Sequence, residues 1–216
     1  MATNRLALYN GALALLGERS LSSLTESVES RRLLDEIWTR GNGADRAVLE
    51  QGLWNFAIKT LKIDYDAAVT SQFGFRRAFG KPTDWVRTVS MCSDEYFYNP
   101  LNGREFIDER GYWWADLDAL YVRYVSDASD YGTDLSLWPE TMTLYAHAYL
   151  AREIAPRLKS SMTDDLEKLA RRRLKDARSK DAMNEGTGIP PLGSWAQARY
   201  GNRRWPDLGS RSSLTG

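Results

Sequence analysis

The spacing of apolar residues changes twice along this chain, from helical to alternating near Asp84 and back to helical at Pro139. An apolar residue every three or four positions buries one stripe of a helix, whereas strict alternation buries one face of a strand. A chain written this way divides into helices before and after a run of strands.

Before the first change, Leu6, Tyr9, Leu13 and Leu16 recur at helical spacing, and Leu8, Ala12 and Leu15 widen the stripe. The spacing predicts a helix over 4–16, buried on most sides, capped by Thr3 or Asn4 and stopped by Gly17. A second helical pattern starts near Ser27 with Leu33, Leu34, Ile37 and Trp38 on its apolar face. Gly41-Asn42-Gly43 weakens it by about 1 kcal/mol per glycine. Val48 and Leu49 resume the pattern, so the helix is expected to run through the weak spot to Gln51. Trp54-Asn55-Phe56-Ala57 then leads into a strand-like or loop stretch up to Tyr65. Residues 66–82 read as an exposed loop broken by Gly74, Gly80 and Pro82.

In the alternating region, Trp85–Val89, Glu95–Tyr98, Glu105–Ile107 and Leu120–Val125 read as strands. Asn99-Pro100-Leu101-Asn102-Gly103 has the chemistry of a hairpin turn. Helices return at Pro139, with Met142, Tyr145, Ala146, Tyr149, Leu150 and Ile154 on one face and Pro156 placed to kink or end the element. Thr163 or Asp164 caps a last helix with Leu166, Leu169, Ala170, Leu174 and Ala177 inward. Its outer side is basic, carrying Arg171, Arg172, Arg173, Lys175 and Arg178. The expected fold class is mainly α. A helical bundle occupies residues 1–184, with a small antiparallel β insert at about 84–125 and an extended C-terminal arm at 185–216.

That arm is rich in Gly, Ser and Pro and has no apolar period, yet it carries Trp195, Arg199, Tyr200, Arg203, Arg204 and Trp205. A purely solvating tail needs no tryptophan. Flexible backbone with Trp, Tyr and Arg anchors is the composition of an arm that orders on a partner. Eight Trp and eleven Tyr in the whole chain point the same way, towards contact surface.

The search for chemistry leads nowhere comparable. His147 is the one histidine, and no Ser or Cys nucleophile motif accompanies it. Cys92 is the one cysteine, which excludes an internal disulfide, fits a reducing compartment and leaves no zinc spacing. Gly41-Asn42-Gly43 lacks the lysine of a phosphate-binding loop. The carboxylate pairs Asp94-Glu95, Asp108-Glu109 and Asp164-Asp165 are sequence neighbours, a poor arrangement for two groups that must face each other across a cleft. No catalytic, cofactor or metal site is expected. With 29 basic and 29 acidic residues the chain is formally neutral, which argues against tight gripping of DNA by the chain as a whole. No apolar run reaches membrane-spanning length. The stretch Leu6–Leu16 is interrupted by Asn10 and Gly11 and lacks a small-residue cleavage site, so it reads as a buried helix rather than a signal peptide.

A series of short motifs occurs in a distinctive order. Leu-Leu-Gly-Glu at Leu15–Glu18 is followed by Arg32-Leu33-Leu34, Trp38, Val48-Leu49 and Trp54-Asn55-Phe56-Ala57. Pro82-Thr83-Asp84-Trp85-Val86-Arg87 and Leu120-Tyr121-Val122-Arg123-Tyr124 come next. Trp138-Pro139, Ala148-Tyr149-Leu150-Ala151-Arg152-Glu153-Ile154-Ala155 and Lys175-Asp176-Ala177 complete the order. Over about residues 4–184 this resembles the tail tubular protein A family of short-tailed bacteriophages, the head-to-tail adaptors. Gly41-Asn42-Gly43 departs from the pattern, since better helix formers are expected there.

The resemblance implies a non-enzymatic structural protein of the virion neck, made in the host cytoplasm. It implies a ring of twelve copies between the portal and the tail nozzle, through which DNA passes without specific binding. It also implies that the arm, with Trp195, Arg199, Tyr200, Arg203, Arg204 and Trp205, reaches onto the portal. Two other classes compete with this reading: a tail-associated cell-wall hydrolase and a nucleic-acid-binding module using the basic last helix and the tail.

Overall fold

The computed structural model describes residues 4–41, 43–70, 74–98 and 100–184. Residues 185–216, with the six expected portal contacts Trp195, Arg199, Tyr200, Arg203, Arg204 and Trp205, lie outside the described residues.

Helix α1, Arg5–Leu16, starts at Asn4, whose side chain accepts the Ala7 N–H at 2.8 Å. It stops at Gly17 (φ 66°), where the Gly17 and Glu18 N–H groups return to the Ala14 and Leu13 carbonyls. The Lys159 ammonium donates to the Leu16 carbonyl at 2.6 Å, so this helix end keeps partners for its last oxygens. Leu8, Tyr9, Ala12, Leu13 and Leu16 are buried.

The next helical pattern does not run through to Gln51. It forms α2, Glu29–Thr39, and a separate α3, Ala44–Leu49. Between them Arg40 is extended, and Gly41 (φ 60°) and Gly43 (φ 95°) take backbone conformations that other residues adopt only at a cost. Asp35 ties α2 to α1, accepting from Tyr9 Oη at 3.0 Å and pairing with Arg5 and Arg31.

After a single 3-10 turn at Asn55–Ala57 the chain enters a six-stranded region. The strands are β1 (Ile58–Asp64), β2 (Arg77–Gly80), β3 (Trp85–Cys92), β4 (Phe106–Glu109), β5 (Tyr112–Ala115) and β6 (Ala119–Ser126). They pair as two antiparallel three-stranded sheets, in the orders β1-β6-β3 and β2-β5-β4. Helices α4 (Glu140–Leu158) and α5 (Thr163–Met183) complete the described chain. Pro139 sits at the α4 cap, and Pro156 falls in its last turn, two residues before the end.

The mainly α bundle with a small insert is therefore wrong. The architecture is mixed α/β, with 44% helix and 20% strand among the described residues, and the β region spans Ile58 to Ser126 rather than about 84–125. Two strands escaped the sequence reading. β2 is four residues long and sits between Gly74 and Pro82, which mark the stretch as loop. β5 reads Tyr-Trp-Trp-Ala and does not alternate, because Trp113 is fully buried while Trp114 covers the other face half-buried. The expected strand Glu95–Tyr98 is a turn instead. The tight hairpin joins β4 to β5 through Arg110 and Gly111, both at positive φ (50° and 81°), the conformation that a two-residue hairpin loop demands.

Two apolar cores result. Leu120, Val122, Tyr124 and Met91 of the first sheet meet Phe79, Trp113 and Ala115 of the second in one cluster. Val86, Val125, Ala57 and Trp54 instead join the cluster built by the helices. Sheet β1-β6-β3 thus contributes to both cores and couples them.

Candidate functional site

In two of the carboxylate pairs singled out from the sequence one member makes a structural contact, and the third pair sits at a helix start. Asp94 accepts the Tyr96 and Tyr98 backbone N–H groups at 3.0 and 3.1 Å. Asp108 pairs with Lys81 at 2.6 Å, while its neighbour Glu109 lies on the opposite side of β4. Asp164 and Asp165 occupy the first turn of α5, where the helix dipole favours negative charge. Among the described residues, no group of three or more His, Cys, Asp or Glu side chains is placed to hold a metal ion.

The densest polar cluster is centred on Asp84, just ahead of β3. Its carboxylate accepts from Lys59 Nζ on β1 at 2.8 Å, from Ser126 Oγ on β6 at 2.7 Å, and from Tyr124 Oη on β6 at 3.1 and 3.2 Å. Burial raises the cost of its charge, but the bonds from Lys59, Ser126 and Tyr124 outweigh it and hold the acid below the usual carboxylate range. The Tyr124 phenol is pushed up to about 12, by burial and then by Asp84, and the hydrogen bond to Asp84 raises the Lys59 ammonium. Three side chains from β1 and β6 thus converge on one carboxylate, so this group clamps those strands to the start of β3.

Two surface features remain. The first is the turn between β3 and β4. Tyr96 and Tyr98 are 67% and 79% exposed and stack with ring centroids 5.8 Å apart. Phe97 between them sits at φ 59°, with the Arg123 guanidinium 4.1 Å above its ring. Asp94 below and Arg123 beside this turn hold it in shape, so two large rings project from a fixed base. Sequence reasoning took the alternation Glu95-Tyr96-Phe97-Tyr98 for a strand. The signals against that were Asp94, a residue type that bonds backbone two positions on, and Pro100.

The second feature is the outer face of α5. Lys168, Arg171, Arg172, Lys175, Arg178 and Lys180 are exposed there. Lys168 pairs with Asp165 and Arg171 with Glu167, while Arg178 donates to the Gln51 carbonyl. Arg173 turns inward to the Leu144 carbonyl at 2.8 Å.

His147 serves packing. It lies on α4 against Gly11 of α1, so close that a methyl group at Gly11 would overlap the imidazole. Its Nε2 is buried with no hydrogen-bond partner among the described residues. Burial, then the charge of Arg173, lowers its pKa below the ordinary 6.5, with Glu140 acting in the other direction. The folded state therefore binds the proton more weakly than the unfolded chain does. The stability this contributes is present above the unfolded value and is lost as pH falls below it. A His147→Gln variant should show a flatter unfolding midpoint between about pH 7 and about pH 5 than the parent, read by urea denaturation. Parallel curves would contradict the assignment.

Comparison with protein-family models finds no match to the chain, and comparison with curated proteins finds none either. Among the described residues no helix is long and apolar enough to cross a membrane.

Proposed function

We propose that the chain is a structural head-to-tail adaptor subunit of a bacteriophage, assembling as a ring between portal and tail nozzle around the DNA channel. The order of sequence motifs supports this class. The observation that carries it is the Tyr96–Tyr98 tip, two stacked aromatic rings displayed to solvent on a braced turn. Rigid tyrosines presented in this way offer large contact area at low entropy cost, which is the chemistry of interface anchors. In this reading the β region faces the nozzle and the tip docks there, while the arm residues Trp195, Arg199, Tyr200, Arg203, Arg204 and Trp205 engage the portal. Neighbouring copies pack head to tail, the arrangement that closes a ring. The virion neck is the proposed location.

The competing hydrolase reading gains nothing from the carboxylate pairs: Asp94 and Asp108 are engaged in fold contacts, and Asp108 and Glu109, as neighbours on a strand, point to opposite faces.

A Tyr96→Ser/Tyr98→Ser double variant should fold as the parent does, because both rings lie outside the two cores. It should still join portal rings but lose nozzle binding by at least about tenfold, the scale of one hot-spot residue, measured by co-sedimentation. Unchanged nozzle binding would remove the tip from the interface.

A further inference from the structure

We propose that the exposed face of α5 is a contact surface for the phosphate backbone of duplex DNA. This goes beyond the adaptor reading, which gives DNA a path but no contact residues, and it does not depend on ring formation.

The chain is formally neutral, yet residues 168–180 hold seven basic side chains, Lys168, Arg171, Arg172, Arg173, Lys175, Arg178 and Lys180, against the single acid Asp176. The positive charge is therefore concentrated on the middle of α5, with the acids Asp164, Asp165 and Glu167 ahead of it and Asp181 behind it. Arg172, Lys175 and Lys180 make no ion pair or hydrogen bond among the described residues. Lys168 with Arg172, and Arg171 with Lys175, are like charges four residues apart, an arrangement that destabilises a helix by itself. A bound polyanion relieves that repulsion.

The apolar side of α5 is already committed. Leu166, Ala170 and Ala177 are buried, and Leu169 and Leu174 pack on the helical core. The outward positions from 168 to 180 therefore offer charge without any apolar anchor. A protein interface places an apolar patch at its centre, and a membrane-surface helix needs an apolar face to insert. A strip of cations alone, about 18 Å long at 1.5 Å per residue, instead complements a polymer that carries about one charge every 1.7 Å along its axis. Binding through such a strip is weak, sequence-independent and strongly dependent on salt.

The test is fluorescence anisotropy of a labelled mixed-sequence duplex of about 20 base pairs with the full chain. Three phosphate contacts predict roughly a 40-fold weakening between about 50 and 200 mM salt. A triple variant, Arg172→Gln/Lys175→Gln/Lys180→Gln, checked for fold by circular dichroism, should bind at least about tenfold more weakly at the lower salt and lose most of the slope. Failure of the parent to bind at about 50 mM salt would overturn the proposal. So would parental affinity in the triple variant, which would put the contact elsewhere, for instance on the arginines beyond residue 184. Polyglutamate of matched charge binding as tightly, with the same loss in the variant, would make the partner an acidic protein and equally overturn it. Because ring assembly is read by mass and this contact by salt slope, either can fail alone.

Discussion

Trp54→Ala is expected to lower the unfolding free energy by about 3–5 kcal/mol, the range for removing a large aromatic from a packed core. Trp54 is only 1% exposed, and its indole N–H donates to the Leu49 carbonyl at 3.1 Å, near the end of α3. Its ring lies 6.4 Å from that of Phe56, which in turn lies 6.3 Å from that of Trp138, ahead of α4. The next residue, Asn55, donates its backbone N–H to the Asp181 carboxylate at 3.1 Å and its side-chain amide to the Asp181 carbonyl at 3.0 Å. One side chain thus touches the end of α3 and the ring series leading to α4, and its neighbour holds the far end of α5. Truncation leaves a void that none of these elements can close without breaking another contact. Trp54→Phe keeps most of the volume and should cost less than half as much. Chemical denaturation followed by circular dichroism measures both, and a loss under about 1 kcal/mol for alanine would contradict this packing.

Asp84→Ala is expected to cost about 2–3 kcal/mol above pH 5, from hydrogen bonds to a charged acceptor lost in one step. The Lys59 side chain is 31% exposed and regains water, so the full penalty of a stranded buried charge does not apply. Tyr124 is fully buried and has no such recourse. The pH dependence carries its own sign. Because the folded-state pKa of Asp84 is depressed, its contribution is complete above the unfolded value of about 3.9 and fades as pH falls through the folded one. Parent and variant should therefore converge in stability under acid conditions and diverge towards neutrality. Asp84→Asn keeps the shape and one acceptor, so it should fall between the two. Curves separated equally at all pH values would mean that the carboxylate charge is irrelevant to the clamp.

How far the residues announced this fold depends on whether the decisive signal is local. Asn4 and Gly17 bound α1 through their own backbone and side-chain chemistry, and both are readable in isolation. Pro139 and Pro156 likewise mark the two ends of α4. The Gly41–Gly43 break went against expectation because the apolar period resumes at Val48, although two left-handed glycines separate two helices there. β2 and β5 exist because each pairs with the other, through Phe79 opposite Trp113 and Ala78 opposite Trp114, and cross-strand pairing leaves no mark on either segment alone. The clamp was equally hidden. Lys59, Asp84, Tyr124 and Ser126 are scattered over more than sixty positions and meet only when β1 and β3 flank β6. Conversely, the pattern at Glu95–Tyr98 was visible but misread, since alternation there puts two tyrosines on one side of a turn held by Asp94. The basic side of α5 was legible except at Arg173, which turns inward to the Leu144 carbonyl, because a helix with an apolar face fully used places most of the remaining residues outward.

Whether the chain is a ring-forming adaptor is tested most directly by the mass of the purified protein alone and after mixing with portal rings. An adaptor that assembles only on the portal should be a monomer by itself and form a discrete ring-sized complex once portal is present. A monomer indifferent to portal would contradict it.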